Sequence, residues 1–180
     1  MKKERLFYRE MKRLFCAVLT LTVCLIFLMS CQVRTAETSE LLTKLCDVFG
    51  SEDSTKKGTV YDADRPLSQE RFGMLYTGKY DPPPCFSRIA GYAIRLPSDE
   101  YGFEIHVIKC VNRSDTAEIS RMLSARIQTL RSAEIREYAP ESYLRYFENA
   151  TVVTKGRYAF LLATPNNEKC IKIIKTSRLG

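Results

Sequence analysis

Two short apolar runs near the end of the chain, Ala150 to Thr154 and Arg157 to Ala163, flank Lys155-Gly156. No other feature restricts the fold so strongly. A glycine-containing pair between β-branched and aromatic runs reads as a two-residue hairpin turn. Side chains alternate across a strand. With Thr154 opposite Arg157, one face holds Val153, Tyr158, Phe160 and Leu162, and the other holds Val152, Ala159 and Leu161. Both faces are apolar at the centre. A sheet with one wet side would alternate apolar with polar residues, so this one requires cover on both sides, from helices or from a partner. The segment carrying Leu41, Leu45, Val48 and Phe49 is the expected cover for the Val152–Ala159–Leu161 face.

The rest of the chain supplies matching elements. Leu41, Leu45, Val48 and Phe49 recur at helical spacing before Gly50, and residues 51–59 (SEDSTKKGT) read as a polar loop. A short helix is expected over Ser68 to Tyr76, with Phe72 and Leu75 inward, and Asp81-Pro82-Pro83-Pro84 then forces an extended segment. Ser87 to Leu96 and Tyr101 to Val111 form a second strand pair around Pro97–Glu100. With Leu96 opposite Tyr101, Tyr92, Ile94, Phe103, Ile105 and Val107 share one face, while Arg95, Glu104 and His106 share the other.

Asp115-x-x-Glu118 has the form of a capping box. It precedes a long helix whose stripe is Ile119, Met122, Leu123, Ile127 and Leu130. Pro140 ends that helix or starts the next, over Glu141 to Asn149. Thr164-Pro165 opens a last helix, Thr164 as its cap and Pro165 at its first position, with Cys170, Ile171 and Ile174 inward. The expected fold is α+β, a mostly antiparallel four-stranded sheet of two hairpins packed with helices.

The N-terminus has a different character. Lys12-Arg13 precede the uncharged run Leu14 to Ser30, the pattern of a secretory signal. The stretch from Met11 is a complete signal by itself, so Met1 and Met11 are alternative starts. Leu28-Met29-Ser30-Cys31 resembles the lipobox of bacterial lipoproteins. That resemblance implies a diacylglyceryl anchor on the Cys31 sulfur and cleavage between Ser30 and Cys31. The competing reading is an uncleaved span, since residues 14–33 just reach the roughly 20 apolar residues a membrane helix needs. Two glycosylation-type triplets, Asn112-Arg-Ser114 and Asn149-Ala-Thr151, arise often by chance and do not outweigh the lipobox. The chain thus divides into a signal over 1–30, an anchored tether with helix and loop over 31–59, and an α+β domain over 60–180.

Charge adds little. Six of the 28 basic and two of the 21 acidic residues lie in residues 1–30, leaving 22 against 19 beyond them, a net of +3. With Lys and Arg scattered along the sequence, this argues against nucleic acid as a partner. A weak attraction to anionic lipid or wall polymer is compatible with it.

From about Val60 onward the chain resembles a family of small Firmicute lipoproteins catalogued as domain of unknown function 4358. The residues that carry the resemblance are Glu104-Ile105 and Val107-Ile108-Lys109, then Tyr138-Ala139-Pro140-Glu141, Tyr143, Asn149-Ala150, Val152, Lys155-Gly156 and Tyr158. The chain departs from the pattern at Pro82–Pro84 and from Cys85 to Gly91. The resemblance implies export and fold, and it implies no activity.

Candidate chemistry is sparse. Cys46, Cys85, Cys110 and Cys170 form no C-x-x-C or Cys/His cluster, so a metal is not expected. They allow three disulfide connectivities, or they are small core residues. His106 is the only histidine; Cys110, four residues along the same strand, is about 13 Å away and too far to act with it. Arg95, Glu104 and His106 are the candidate polar cluster, against the plainer reading of a solvated sheet face. Tyr138, Tyr143 and Tyr158 are candidate sugar or peptide contacts, or core and rim residues. No phosphate loop or nucleophile elbow is present. No cofactor or catalytic residue is assigned. The functional expectation is a membrane-anchored, extracytoplasmic, non-catalytic interaction domain with an envelope protein or polymer as partner. The rival is an envelope hydrolase or transferase with its site around His106.

Overall fold

A computed structural model describes residues 38–49, 58–97 and 102–179. The leader, the Ser30–Cys31 bond, the tether and residues 98–101 lie outside the described residues. Among the described residues no helix is long and apolar enough to cross a membrane. Thr35–Gly180 form one compact unit.

The fold is α+β. Its strands are β1 (Gly58–Tyr61), β2 (Ile89–Pro97), β3 (Glu104–Cys110), β4 (Thr151–Lys155) and β5 (Tyr158–Ala163), in one sheet of order β1-β2-β3-β5-β4. Every pairing is antiparallel. Both expected hairpins are present, and the expected four strands are five. β1 falls partly within what reads as a polar loop; at four residues, Gly-Thr-Val-Tyr, it is too short to show alternation, and it exists by pairing with β2.

The helices are α1 (38–46), α2 (Gln69–Thr77), α3 (Thr116–Leu130), α4 (Ala133–Tyr138), α5 (Glu141–Glu148) and α6 (Asn167–Thr176). Ser68 caps α2 by accepting from the Arg71 N–H, with Phe72 and Tyr76 buried and Leu75 half-buried. The capping box at α3 lies three residues earlier than expected. Asn112 and Asp115 bond reciprocally around a 3-10 turn that leads into the helix. α3 stops at Leu130 because Ser132 turns extended and caps α4 instead. The Arg131 side chain donates to the carbonyls of Phe147, Glu148 and Ala150, pinning the end of α5 where the chain enters β4. At α6 the cap is Asn166 rather than Thr164, whose hydroxyl donates to Asn167 Oδ1 instead.

Both hairpins depart from the expected register, with unequal consequences. Lys155 pairs with Tyr158, so the turn is Gly156-Arg157, and Gly156 takes the positive φ of 59° such a turn needs. Each residue thus shifts by two partners and every side chain keeps its face. In β2–β3, Ile94 pairs with His106 and Arg95 with Ile105, a shift of three from the expected pairing. An odd shift turns a strand over relative to its partner. Ile94 therefore shares a face with Glu104, His106 and Ile108, and Arg95 shares the other with Ile105 and Val107.

Helices cover both faces. One layer, from α2, α3 and α5, brings Phe72, Ile119, Leu123 and Phe147 onto Ile94, Ile108, Ala159 and Leu161. The other, from α1 and α6, brings Leu41, Leu42, Leu45, Cys170 and Ile174 onto Ile105, Val107, Tyr158, Phe160 and Leu162. The two-sided apolar hairpin is thus an internal layer. α1 covers the face opposite to the one expected, and α2 and α3 cover Ala159 and Leu161.

Candidate functional site

The strongest polar constellation is built on β3. Glu104 and His106 are two residues apart on one strand and so point to the same side, towards α2 and α3. Tyr76, from the last turn of α2, meets His106 with its hydroxyl 2.7 Å from Nδ1, the two rings edge-on at 5.6 Å. Arg126, from the middle of α3, grips Glu104 with two bonds, Nη2 to Oε1 at 2.6 Å and Nε to Oε2 at 3.2 Å. His106 Nε2 lies 3.2 Å from Glu104 Oε2. That approach is too poorly aligned for a good hydrogen bond, so the contact is mainly electrostatic.

Charge and proton positions follow. Burial alone would raise the Glu104 carboxyl, but Arg126 and His106 outweigh it and hold it down to about 2. Burial pushes the His106 imidazole below its usual range against the pull of Glu104, so it is neutral near pH 7. Burial raises the Tyr76 hydroxyl well above its usual range, with the Glu104 charge adding to the effect, so it keeps its proton. A carboxylate facing Nε2 places the imidazole proton there and leaves Nδ1 to accept from the Tyr76 hydroxyl. The order of contacts is Tyr76, His106, Glu104, Arg126.

Access decides what such a chain can do. His106 is 0% exposed, Glu104 3% and Tyr76 5%. A general acid or base must come within hydrogen-bond reach of a reacting group, and these atoms are enclosed between sheet and helices. The arrangement orients the helices on the sheet; it offers a substrate no entrance.

Of the three residues expected to cluster, the structure joins Glu104 with His106 and sends Arg95 to the other side of the sheet. There Arg95 donates from Nη1 to the Phe103 carbonyl at 2.6 Å, and its guanidinium lies 3.6 Å from the centroid of the Phe103 ring. Gly58 leaves it room, since a Cβ there would stand 2.5 Å from Arg95 Cζ. Tyr76 and Arg126, the two partners that sequence reasoning missed, come from helices and reach β3 only through packing. Helical spacing does put Tyr76 on the same stripe as Phe72, which was a signal for burial.

The thiols are core groups. Cys85, Cys110 and Cys170 are buried, Cys46 is half-buried, and all four are free. Burial raises Cys46, Cys110 and Cys170 to about 11, which leaves them inert near neutrality. Among the described residues no group of His, Cys, Asp or Glu could hold a metal ion. Tyr138 is exposed, Tyr143 stacks edge-on with Tyr146, and Tyr158 is wholly buried, so the tyrosines form no common surface.

A surface cleft of about 630 Å³ opens between the end of α5 and the start of α6, lined by Arg145, Tyr146, Asn149, Thr151 and Asn166 among others. Two of its amides are engaged internally, Asn166 with the Lys169 N–H and Asn167 with the Asn149 carbonyl. Among the described residues no hydroxyl lining it is hydrogen-bonded to a carboxylate or histidine, and that of Thr164 donates to Asn167 Oδ1. Comparison of the chain with protein-family models, with curated proteins and with solved structures gave no match.

Proposed function

We propose that this chain is a lipoprotein, anchored through Cys31 on the extracytoplasmic face of the membrane, whose domain binds an envelope component and does not turn one over. The basic Lys12-Arg13, the uncharged run Leu14 to Ser30 and the Leu28–Cys31 box support the anchor. The burial of His106 carries the non-catalytic reading, because the only histidine and its carboxylate are sealed beneath α2 and α3. What the domain can offer a partner is its outer surface.

Two measurements test this. Lipid labelling in a bacterial host should be present in the native chain and absent in Cys31→Ser, which should accumulate as a larger precursor. Unchanged labelling of that variant would refute the anchor. Cross-linking of the anchored chain in its own membranes should capture a defined envelope component, and a folded His106→Gln variant should capture it equally. Turnover of an envelope polymer by the purified protein, abolished in folded His106→Gln, would establish the hydrolase or transferase reading in its place.

A further inference from the structure

The folded domain carries a charge asymmetry that its modest net charge conceals. Residues 151–180 hold six basic residues and one acidic residue, Glu168. Lys155 is consumed internally, donating to the carbonyls of Ile174 at 3.0 Å and Ser177 at 2.6 Å and so capping α6. The remaining charge is displayed. On α6 Cys170 and Ile174 face the core, which turns Lys169, Lys172 and Lys175 outward as one exposed crest, and exposed Arg178 follows the helix. Half-buried Ile171 and Ile173 flank the crest. None of these four cations makes an ion pair among the described residues.

The neighbour in the same layer does not cancel the crest. α1 exposes Glu40 and Lys44, which are paired at 2.6 Å, and exposed Asp47 follows the helix. The opposite layer is mixed in sign: Arg88 is held by Glu118, and exposed Glu70, Glu134, Glu137 and Glu141 lie among Arg71, Arg121, Arg136 and Arg145. Arg71, Arg121 and Arg145 also make no ion pair among the described residues, but they stand among carboxylates in equal number. α6 and Arg178 set four cations against Glu168 alone, so the excess of positive charge lies on the α6 side.

We infer that the Lys169–Lys172–Lys175–Arg178 surface lies against anionic lipid headgroups of the membrane to which the chain is anchored. This rests on the lipoprotein reading. The chain that precedes the domain favours a bilayer as occupant. Six residues separate Cys31 from Thr38, seven Cα steps with a covalent reach of about 25 Å. They enter through α1, which shares its layer with α6. Two helical layers and a sheet, each about 10 Å thick, put the far surface about 30 Å from the outer surface of α1, beyond what that tether spans. The α1–α6 side is the one a lipid on Cys31 holds towards the bilayer. Each Lys or Arg brought to an anionic leaflet favours binding, within a Debye length of about 8 Å at physiological salt.

The test uses residues 35–180, which contain the whole sheet and both helical layers, so that no lipid or leader contributes. Sedimentation with vesicles containing phosphatidylglycerol should carry the domain down, and vesicles of phosphatidylcholine alone should not. Reversal of the crest (Lys169→Glu, Lys172→Glu, Lys175→Glu) should weaken partitioning by about tenfold or more. The same charge change on the far layer (Arg71→Glu, Arg121→Glu, Arg136→Glu) should leave most of it. Equal losses from both triple variants would overturn the inference by reducing it to net charge, as would absence of binding to the anionic vesicles. Binding of a DNA duplex as tight as the binding to vesicles would overturn the choice of lipid. Lipid labelling at Cys31 separates the two readings: vesicle binding without labelling keeps the surface and discards the anchor, and labelling without vesicle binding does the reverse.

Discussion

The two faces of the sheet handle buried charge in different ways. Towards α2 and α3, Glu104, His106, Tyr76 and Arg126 lie inside the packing in contact with one another. Towards α1 and α6 the centre is apolar: Ile105, Val107, Phe160 and Leu162 are fully buried. The cations on that side, Arg95 and Lys109, lie over aromatic rings, Arg95 at 3.6 Å from Phe103 and Lys109 at 5.1 Å from Tyr158. Removing one member of an internal ionic network strands the others without water. A cation lying on a ring contributes much of its contact through its aliphatic stem. The first face should therefore be brittle to single changes of charge and the second tolerant of them, with its stability residing in its helices.

Loss of α1 should have the largest effect. Leu41, Leu42 and Leu45 are buried on Phe103, Ile105 and their neighbours, and together they contribute about 5–9 kcal/mol. That approaches the whole stability of an ordinary domain. A chain starting at Gly50 should show no cooperative thermal transition. If it melts within a few degrees of the complete domain, α1 is not a structural layer.

Next in size is Glu104→Ala, which leaves the Arg126 guanidinium half-enclosed without its carboxylate and should cost about 3–5 kcal/mol in urea unfolding. A loss below about 1 kcal/mol would mean that water reaches the network and that the two faces are alike.

Acid should act on the same face. His106 binds its proton less readily folded than unfolded, so the unfolded chain holds more protons once pH falls below 6.5, and stability starts to drop there. Glu104, held at about 2 against an ordinary 4.5, adds a loss of about 3 kcal/mol as pH falls from 4.5 towards 2. Both effects have one sign, so stability should be level between about pH 7 and 8 and fall in two stages below it. Above that range the thiols of Cys46, Cys110 and Cys170, held at about 11 against an ordinary 9.0, lower it again. His106→Gln should remove the first stage and keep the second. A variant that retains the first stage would assign it to another group.

The smallest effect belongs to the other face. Arg95→Met keeps the stem over Phe103 and loses the bond to the Phe103 carbonyl, a change of about 1 kcal/mol. A loss as large as that of Glu104→Ala would erase the contrast between the faces.

Much of this architecture was legible before the structure. The strand pairs, the apolar stripes of α2, α3 and α6, and the need for three layers all follow from side-chain period, which backbone geometry imposes on any sequence. The second hairpin kept its faces through its change of register because the shift was even. The first did not, and with it went the composition of the polar site: Arg95 left and Arg126 took its place. Nothing local in Ile94 to His106 discriminates between pairings one residue apart, since apolar residues occupy both faces of β3. β1 was invisible for a related reason, because four residues hold too little pattern to stand out from a polar stretch.

The amino-acid sequence by itself determined the class of fold, the elements and the requirement that both sides of the β4–β5 hairpin be covered, because these depend on spacing along one chain. Tertiary structure alone decided which helix covers which face, that His106 is enclosed with Tyr76 and Arg126, and that the lysines of α6 form an unopposed crest. Those facts depend on strand register and on contacts between residues 20 or more apart in sequence. Such contacts form only when many weak interactions are satisfied together, and no single segment encodes them.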